Sequence, residues 1–103
     1  MRKLISLLEI VLSVFEGNEP KELTDYINRE GYRQPYKWNG LCQVNNHLYY
    51  AGVTTKAEYI LLTEYFEKCE PKNLFPRTTY WWEPKIYKPR ITWLKAQIKS
   101  LNF

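Results

Sequence analysis

Residues 4–15, LISLLEIVLSVF, are apolar around most of a helical circumference. Leu4, Leu8, Val11 and Phe15 recur at i, i+4, i+7 and i+11, and Ile5 and Leu12 widen that stripe. Leu7, Ile10 and Val14 carry it further, leaving only Ser6, Glu9, Ser13 and Glu16 for a polar edge. A helix with so broad an apolar arc is either the central helix of its domain or a surface through which two copies pair. The basic start followed by apolar residues has the outline of a secretion signal. Glu9 interrupts the run, however, no small-residue cleavage site follows, and the stretch is too short to span a bilayer. The expectation is a cytoplasmic protein with no membrane partner.

At 103 residues the chain is one domain. Further helical patterns follow the first. GNEP stops helix 1, with Gly17 as a left-handed cap and Pro20 suited to the first turn of the next helix. A short polar helix over about Pro20–Arg29 turns Leu23, Tyr26 and Ile27 inward. After the loop EGYRQPYKWNG, with Gly31 as a C-cap, Asn39 is placed to cap a third helix with Leu41, Val44, Leu48 and Ala51 on one face. Thr55 and Glu58 form a capping box for a fourth, whose Leu61, Leu62, Tyr65, Phe66 and Cys69 make an apolar face ended by Pro71. A last helix opens at Pro89, with Ile91, Leu94, Ile98 and Leu101 as its core stripe and Lys88, Lys95 and Lys99 on another face. The predicted fold is mainly α, four or five short helices around an aromatic loop of about eighteen residues; loops that long in a compact domain are usually functional, disordered or misassigned. The high β-propensity of TTYWWE leaves room for a short strand pair there.

Charge divides the chain. Residues 1–71 hold eight Lys/Arg against ten Asp/Glu, whereas residues 72–103 hold seven against Glu83 alone. A basic final third suits an anionic partner or an acidic protein surface, and equally serves as a solvated face that keeps the protein soluble. Catalytic constellations are lacking. His47 is the sole histidine, which rules out a histidine metal cluster, and Cys42 and His47 are spaced to point apart on one helix. Neither cysteine belongs to a CxxC pair, and both fall in apolar patterns that predict buried free thiols. There is no glycine-rich phosphate loop and no cofactor motif. The carboxylates Glu58, Glu64, Glu67 and Glu70 read as the solvated side of one helix.

The segment RTTYWWEPKIYKPR, residues 77–90, is the main candidate site. Tyr80, Trp82 and Tyr87 offer faces on which a base can stack, worth about 1–3 kcal/mol per base, and Arg77, Lys85 and Arg90 offer cations for phosphate. Arg33 and Trp38 belong to a smaller set of the same kind that could flank the same pocket. The same aromatics could instead close the core from a loop. In a strand Trp81 and Trp82 would face opposite ways, one toward the core and one outward.

Several pieces of the final two-thirds, GLC at 40–42, the tyrosine-rich helix after it, LLTEYF at 61–66, TYWWEP at 79–84 and PRITWLKAQI at 89–98, resemble small accessory proteins of tailed bacteriophages. The resemblance covers about sixty residues and excludes residues 1–38. It implies action in the bacterial host cytoplasm by binding something of the host, as an inhibitor of the counter-defence type, and not by turnover. Three partners are then to be weighed. The first is a small phosphorylated ligand such as a nucleotide signal, held by the aromatic–basic segment. The second is a host protein gripped by the same Trp/Tyr/Arg surface. The third, weaker because the net charge is only +4, is nucleic acid.

Overall fold

The apolar first helix, α1 (Arg2–Phe15), is the hub of the fold. The computed structural model describes residues 2–30, 40–69 and 84–102, with residues 84–87 followed as backbone. These residues form α2 (Lys21–Glu30), α3 (Leu41–Tyr50), α4 (Lys56–Cys69) and α5 (Pro84–Leu101), with no strand among them. The GYRQPYKWN and TTYWWE readings, with the Gly31 cap and the strand alternative, fall outside the described residues.

α1 packs on α5, α4 and α3, while α3 packs on α4 and α2 on α3. Its broad arc is thereby used within one chain: Leu4, Leu7, Leu8, Val11, Val14 and Phe15 are all buried. Leu23 and Ile27 of α2, Leu41, Val44 and Leu48 of α3, Leu62 and Phe66 of α4 and Leu94 of α5 complete the core. At roughly 1.5–3 kcal/mol for each large apolar side chain, this burial dominates the favourable side of folding.

Helix ends follow the residues that make them. Gly17 takes φ +91° and donates its N–H to the carbonyl of Val14, closing α1. Gly52 takes φ +82° after α3, where the N–H groups of Gly52 and Val53 reach the carbonyls of Tyr49 and Leu48. Both conformations are ones that a side chain would strain. At α4 the capping box is made on both sides. Thr55 N–H donates to Glu58 Oε1 at 2.8 Å, and Glu58 N–H donates to Thr55 Oγ1 at 3.2 Å.

Four expectations are corrected. α5 begins at Pro84, one and a half turns before Pro89, which lies inside the helix. Both prolines suit a first helical turn, and Pro89 is tolerated because its missing N–H orphans one carbonyl near the helix start. The aromatic loop is shorter by those residues. Pro20 precedes α2, its carbonyl accepting from Leu23 and Thr24 N–H at 3.0 and 3.1 Å, so it caps the helix from outside. Gly40, in extended conformation, occupies the N-cap of α3 that the sequence assigned to Asn39. Finally, Leu61 and Cys69 of α4, and Cys42 of α3, are exposed instead of buried. The core takes Leu62 and Phe66, one turn apart, and α4 is too narrowly covered for the flanking positions to follow.

Candidate functional site

The predicted site residues fall into three groups. Arg33, Trp38, Arg77, Tyr80 and Trp82 lie outside the described residues. Lys85 and Tyr87 occupy the first turns of α5, where the backbone places them just after the Trp81–Trp82 pair in sequence. Arg90, one turn further on, is buried at 5% exposure and so belongs to the interior side of α5, whereas Lys88 is exposed.

The start of α5 has a distinctive charge pattern. Its first turn contains no acidic residue, and Lys85 and Lys88 stand in its first two turns. A helix N-terminus carries about half a positive charge on its unsatisfied N–H groups. Lysines there add to that potential, and Glu83, just before Pro84 in sequence, opposes it. Such an end suits an anion.

A second grouping was not singled out from the sequence. Five rings run in a connected row across α2, α3 and α4. Tyr26 meets His47 edge-on with centroids 6.1 Å apart, and His47 meets Tyr50 in the same way at 6.3 Å. Tyr50 adjoins Tyr49 at 6.0 Å, and Tyr49 stacks on Tyr59 at 4.9 Å with planes 25° apart. The Arg29 guanidinium lies 5.5 Å from the Tyr26 ring centre, within cation–π range. His47 Nδ1 donates to the carbonyl of Gln43 at 2.8 Å, an acceptor that fixes the ring proton on Nδ1. The middle of the row faces solvent: Tyr50 is 60% exposed, and Ile60, next to Tyr59 in sequence, is 43% exposed. HLYY at residues 47–50 was the available signal, since α3 buries Val44 and Leu48 and the aromatics between and after them must fan across its edge.

Beneath the row, Asn45 is buried between α3 and α4. Its Nδ2 donates to Thr63 Oγ1 at 3.0 Å and to the Tyr59 carbonyl at 3.3 Å, and Thr63 donates to that same carbonyl at 2.8 Å. Its Oδ1 and the Oγ1 of buried Thr54 have no hydrogen-bond partner. On the opposite side of α4, the Tyr65 hydroxyl donates to Gln97 Oε1 at 2.5 Å, and Trp93 stands 6.3 Å from both Tyr65 and Phe66. Burial, and then the Cys69 thiol beside it, push the Tyr65 hydroxyl above its ordinary range. Among the described residues no three of His, Cys, Asp and Glu gather as a metal site would require, and no helix is long and apolar enough to cross a membrane.

No protein-family model matches the chain, and neither a curated protein nor a solved structure matches it.

Proposed function

We propose that this chain is a non-enzymatic binding protein that sequesters a small phosphorylated ligand, a nucleotide-type signal, in the manner of a bacteriophage counter-defence inhibitor. The observation that carries the reading is the start of α5. Pro84 opens the helix, its first turn lacks a carboxylate, and Lys85 and Lys88 stand on its first two turns. In sequence Tyr80, Trp81 and Trp82 precede this end with Glu83 between them and Pro84, so ring faces for a base and donors for a phosphate fall on one short stretch. Lys85 and the free N–H groups of α5 would meet the phosphate, Tyr80, Trp82 and Tyr87 would stack on the base, and Arg77 would supply a bidentate grip. Arg90, buried on the interior side of α5, is the remaining cation of the segment.

The test is a thermal-shift screen against mono-, di- and cyclic nucleotides, followed by calorimetric titration of any that stabilise. A ligand at a hundred times its Kd adds about 2.7 kcal/mol to stability. The shift should disappear in Trp82→Ala and Lys85→Ala. No shift with any nucleotide, or an equal shift in both variants, would refute the site.

A second reading has its own observation. The exposed Tyr50 and Ile60, with the neighbouring Tyr26, Arg29, His47, Tyr49 and Tyr59, have the composition of a protein-interface hot spot. Tyr50→Ala would abolish capture of a host protein while leaving any nucleotide shift intact.

A further inference from the structure

α5 carries four lysines and one arginine and not a single carboxylate along its eighteen residues. Its described side chains sort cleanly by side. Arg90 and Leu94 are buried, and Ile91, Trp93, Gln97, Ile98 and Leu101 are partly covered. Lys88, Thr92, Lys95, Ala96, Lys99 and Ser100 are exposed. At about 100° per residue, Lys88, Lys95 and Lys99 fall within roughly 40° of one another, a single file along the solvent side. The file is about 16 Å long at 1.5 Å per residue, equal to the axial run of about five phosphates on one strand of a DNA duplex.

We propose that this lysine file is a docking surface for the sugar–phosphate backbone of duplex nucleic acid, read without regard to sequence. The charge asks for a polyanion, and the exposed residues flanking the lysines on one side decide which. Thr92, Ala96 and Ser100 are small, so the helix can approach a rigid rod closely, and the Thr92 hydroxyl can donate to a phosphate. A protein interface would place aromatic or arginine anchors at the centre of the patch and would be poor in lysine there. A bilayer surface would require large apolar side chains on the same face to enter the headgroup layer. Among the described residues this face has neither. Lysine, a point charge on a flexible stem, suits phosphates at varying positions better than arginine's fixed fork. This surface runs on from the N-terminal end of α5 to which the nucleotide reading is assigned and shares Lys88 with it, whereas Lys95 and Lys99 belong to the file alone.

One carboxylate opposes the file. Glu16, at the end of α1, holds Lys95 at 3.5 Å, with both side chains partly in solvent. It competes with a phosphate for that lysine, which gives the proposal a test of opposite sign.

The experiment is fluorescence anisotropy of a short labelled DNA duplex of arbitrary sequence, titrated with the full chain at several salt concentrations. Three lysine–phosphate contacts give a log–log salt slope of about −2.7, a loss of about 40-fold between 50 and 200 mM. Lys88→Ala, Lys95→Ala and Lys99→Ala should each reduce the slope by about 0.9, and the triple variant should abolish binding. Glu16→Gln should strengthen binding by severalfold. Melting curves for each variant establish that these exposed changes leave the fold intact. The proposal is overturned if the wild-type chain does not bind the duplex at low salt, or if the folded triple variant binds with an unchanged slope. It is also overturned if Glu16→Gln weakens binding.

Discussion

Lys3 and Glu58 join the first turns of α1 and α4, Nζ to Oε2 at 2.6 Å. The same carboxylate, through Oε1, caps α4 by accepting from the Thr55 N–H. One side chain thus closes a helix and ties it to the central helix of the fold. Lys3, then the Thr55 N–H, hold the Glu58 carboxyl below its ordinary value.

Acid should reveal that arrangement. Because the folded value is the lower one, the unfolded chain binds a proton first as pH falls. The contribution is present in full above the unfolded value of about 4.3 and is lost as pH drops through the folded value. Glu58→Gln retains a capping acceptor but loses the attraction to Lys3, so its melting temperature should approach that of wild type as pH falls from about 6 to about 3. Thr55→Ala should cost about 0.5–2 kcal/mol at every pH in that range, because it removes the cap and not the charge. Parallel melts of the three proteins decide it. A constant gap between wild type and Glu58→Gln would remove the ion pair from the account.

Pro89 offers a test of where α5 begins. Inside a helix, proline is about 3 kcal/mol less favourable than alanine, since it lacks the N–H that would bond four residues back. Here that acceptor would be the carbonyl of Lys85, which belongs to α5 because the helix opens at Pro84. Pro89→Ala should therefore raise stability by about 1–3 kcal/mol, read as a higher urea midpoint with an unchanged slope. A helix opening at Pro89 itself would gain nothing from the change.

The two prolines also show how far the sequence could be read. Apolar periodicity located all five helices because burial repeats with the helical turn, and the Thr55–Glu58 box marked the start of α4 because a cap is a local contact. The choice between Pro84 and Pro89 was not local. It depends on what covers the intervening turn, and periodicity is silent on that. Cys42, Cys69 and Leu61 failed for a related reason: a residue in an apolar pattern is buried only if a neighbouring helix reaches it. The row from Tyr26 to Tyr59 escaped notice because its members come from three helices. The aromatic–basic segment was conspicuous by composition alone, and the orientation of α5 is what relates part of it to a helix N-terminus.

Asn45 and Thr63 should prove energetically coupled. Asn45 is almost wholly buried, and its Nδ2 meets Thr63 Oγ1 at 3.0 Å while its Oδ1 goes unpaired. Asn45→Ala should cost about 1–3 kcal/mol, and Thr63→Val about 1 kcal/mol. The double variant should lose less than the sum by about 0.5–1.5 kcal/mol, because the second change no longer breaks a bond. Denaturant titration of the four proteins measures that coupling, and strict additivity would mean the pair contributes no mutual stabilisation. Asn45→Asp should be the most damaging single change at this site, since it places a charge beside the Tyr59 carbonyl without a counter-ion.

Tyr65 predicts the alkaline side of the stability profile. Its hydroxyl is raised above the usual phenol range first by burial and then by Cys69, and in the neutral form it donates to Gln97 Oε1 at 2.5 Å. The folded chain keeps this proton to higher pH than the unfolded chain does. The stabilisation is thus complete below the unfolded value of about 10 and disappears as pH climbs through the raised folded value. Tyr65→Phe retains the ring against Phe66 and Trp93 while deleting the titrating group and its hydrogen bond. At neutral pH it should be less stable than wild type by about 0.5–1.5 kcal/mol. As pH rises past about 10 the wild-type advantage should shrink, because only wild type must either ionise a half-buried phenol or hold its proton against the solvent. Urea midpoints of the two proteins across that range test the sign directly: a wild-type advantage that grew with pH would show that the hydroxyl ionises more readily in the folded protein than in the unfolded one.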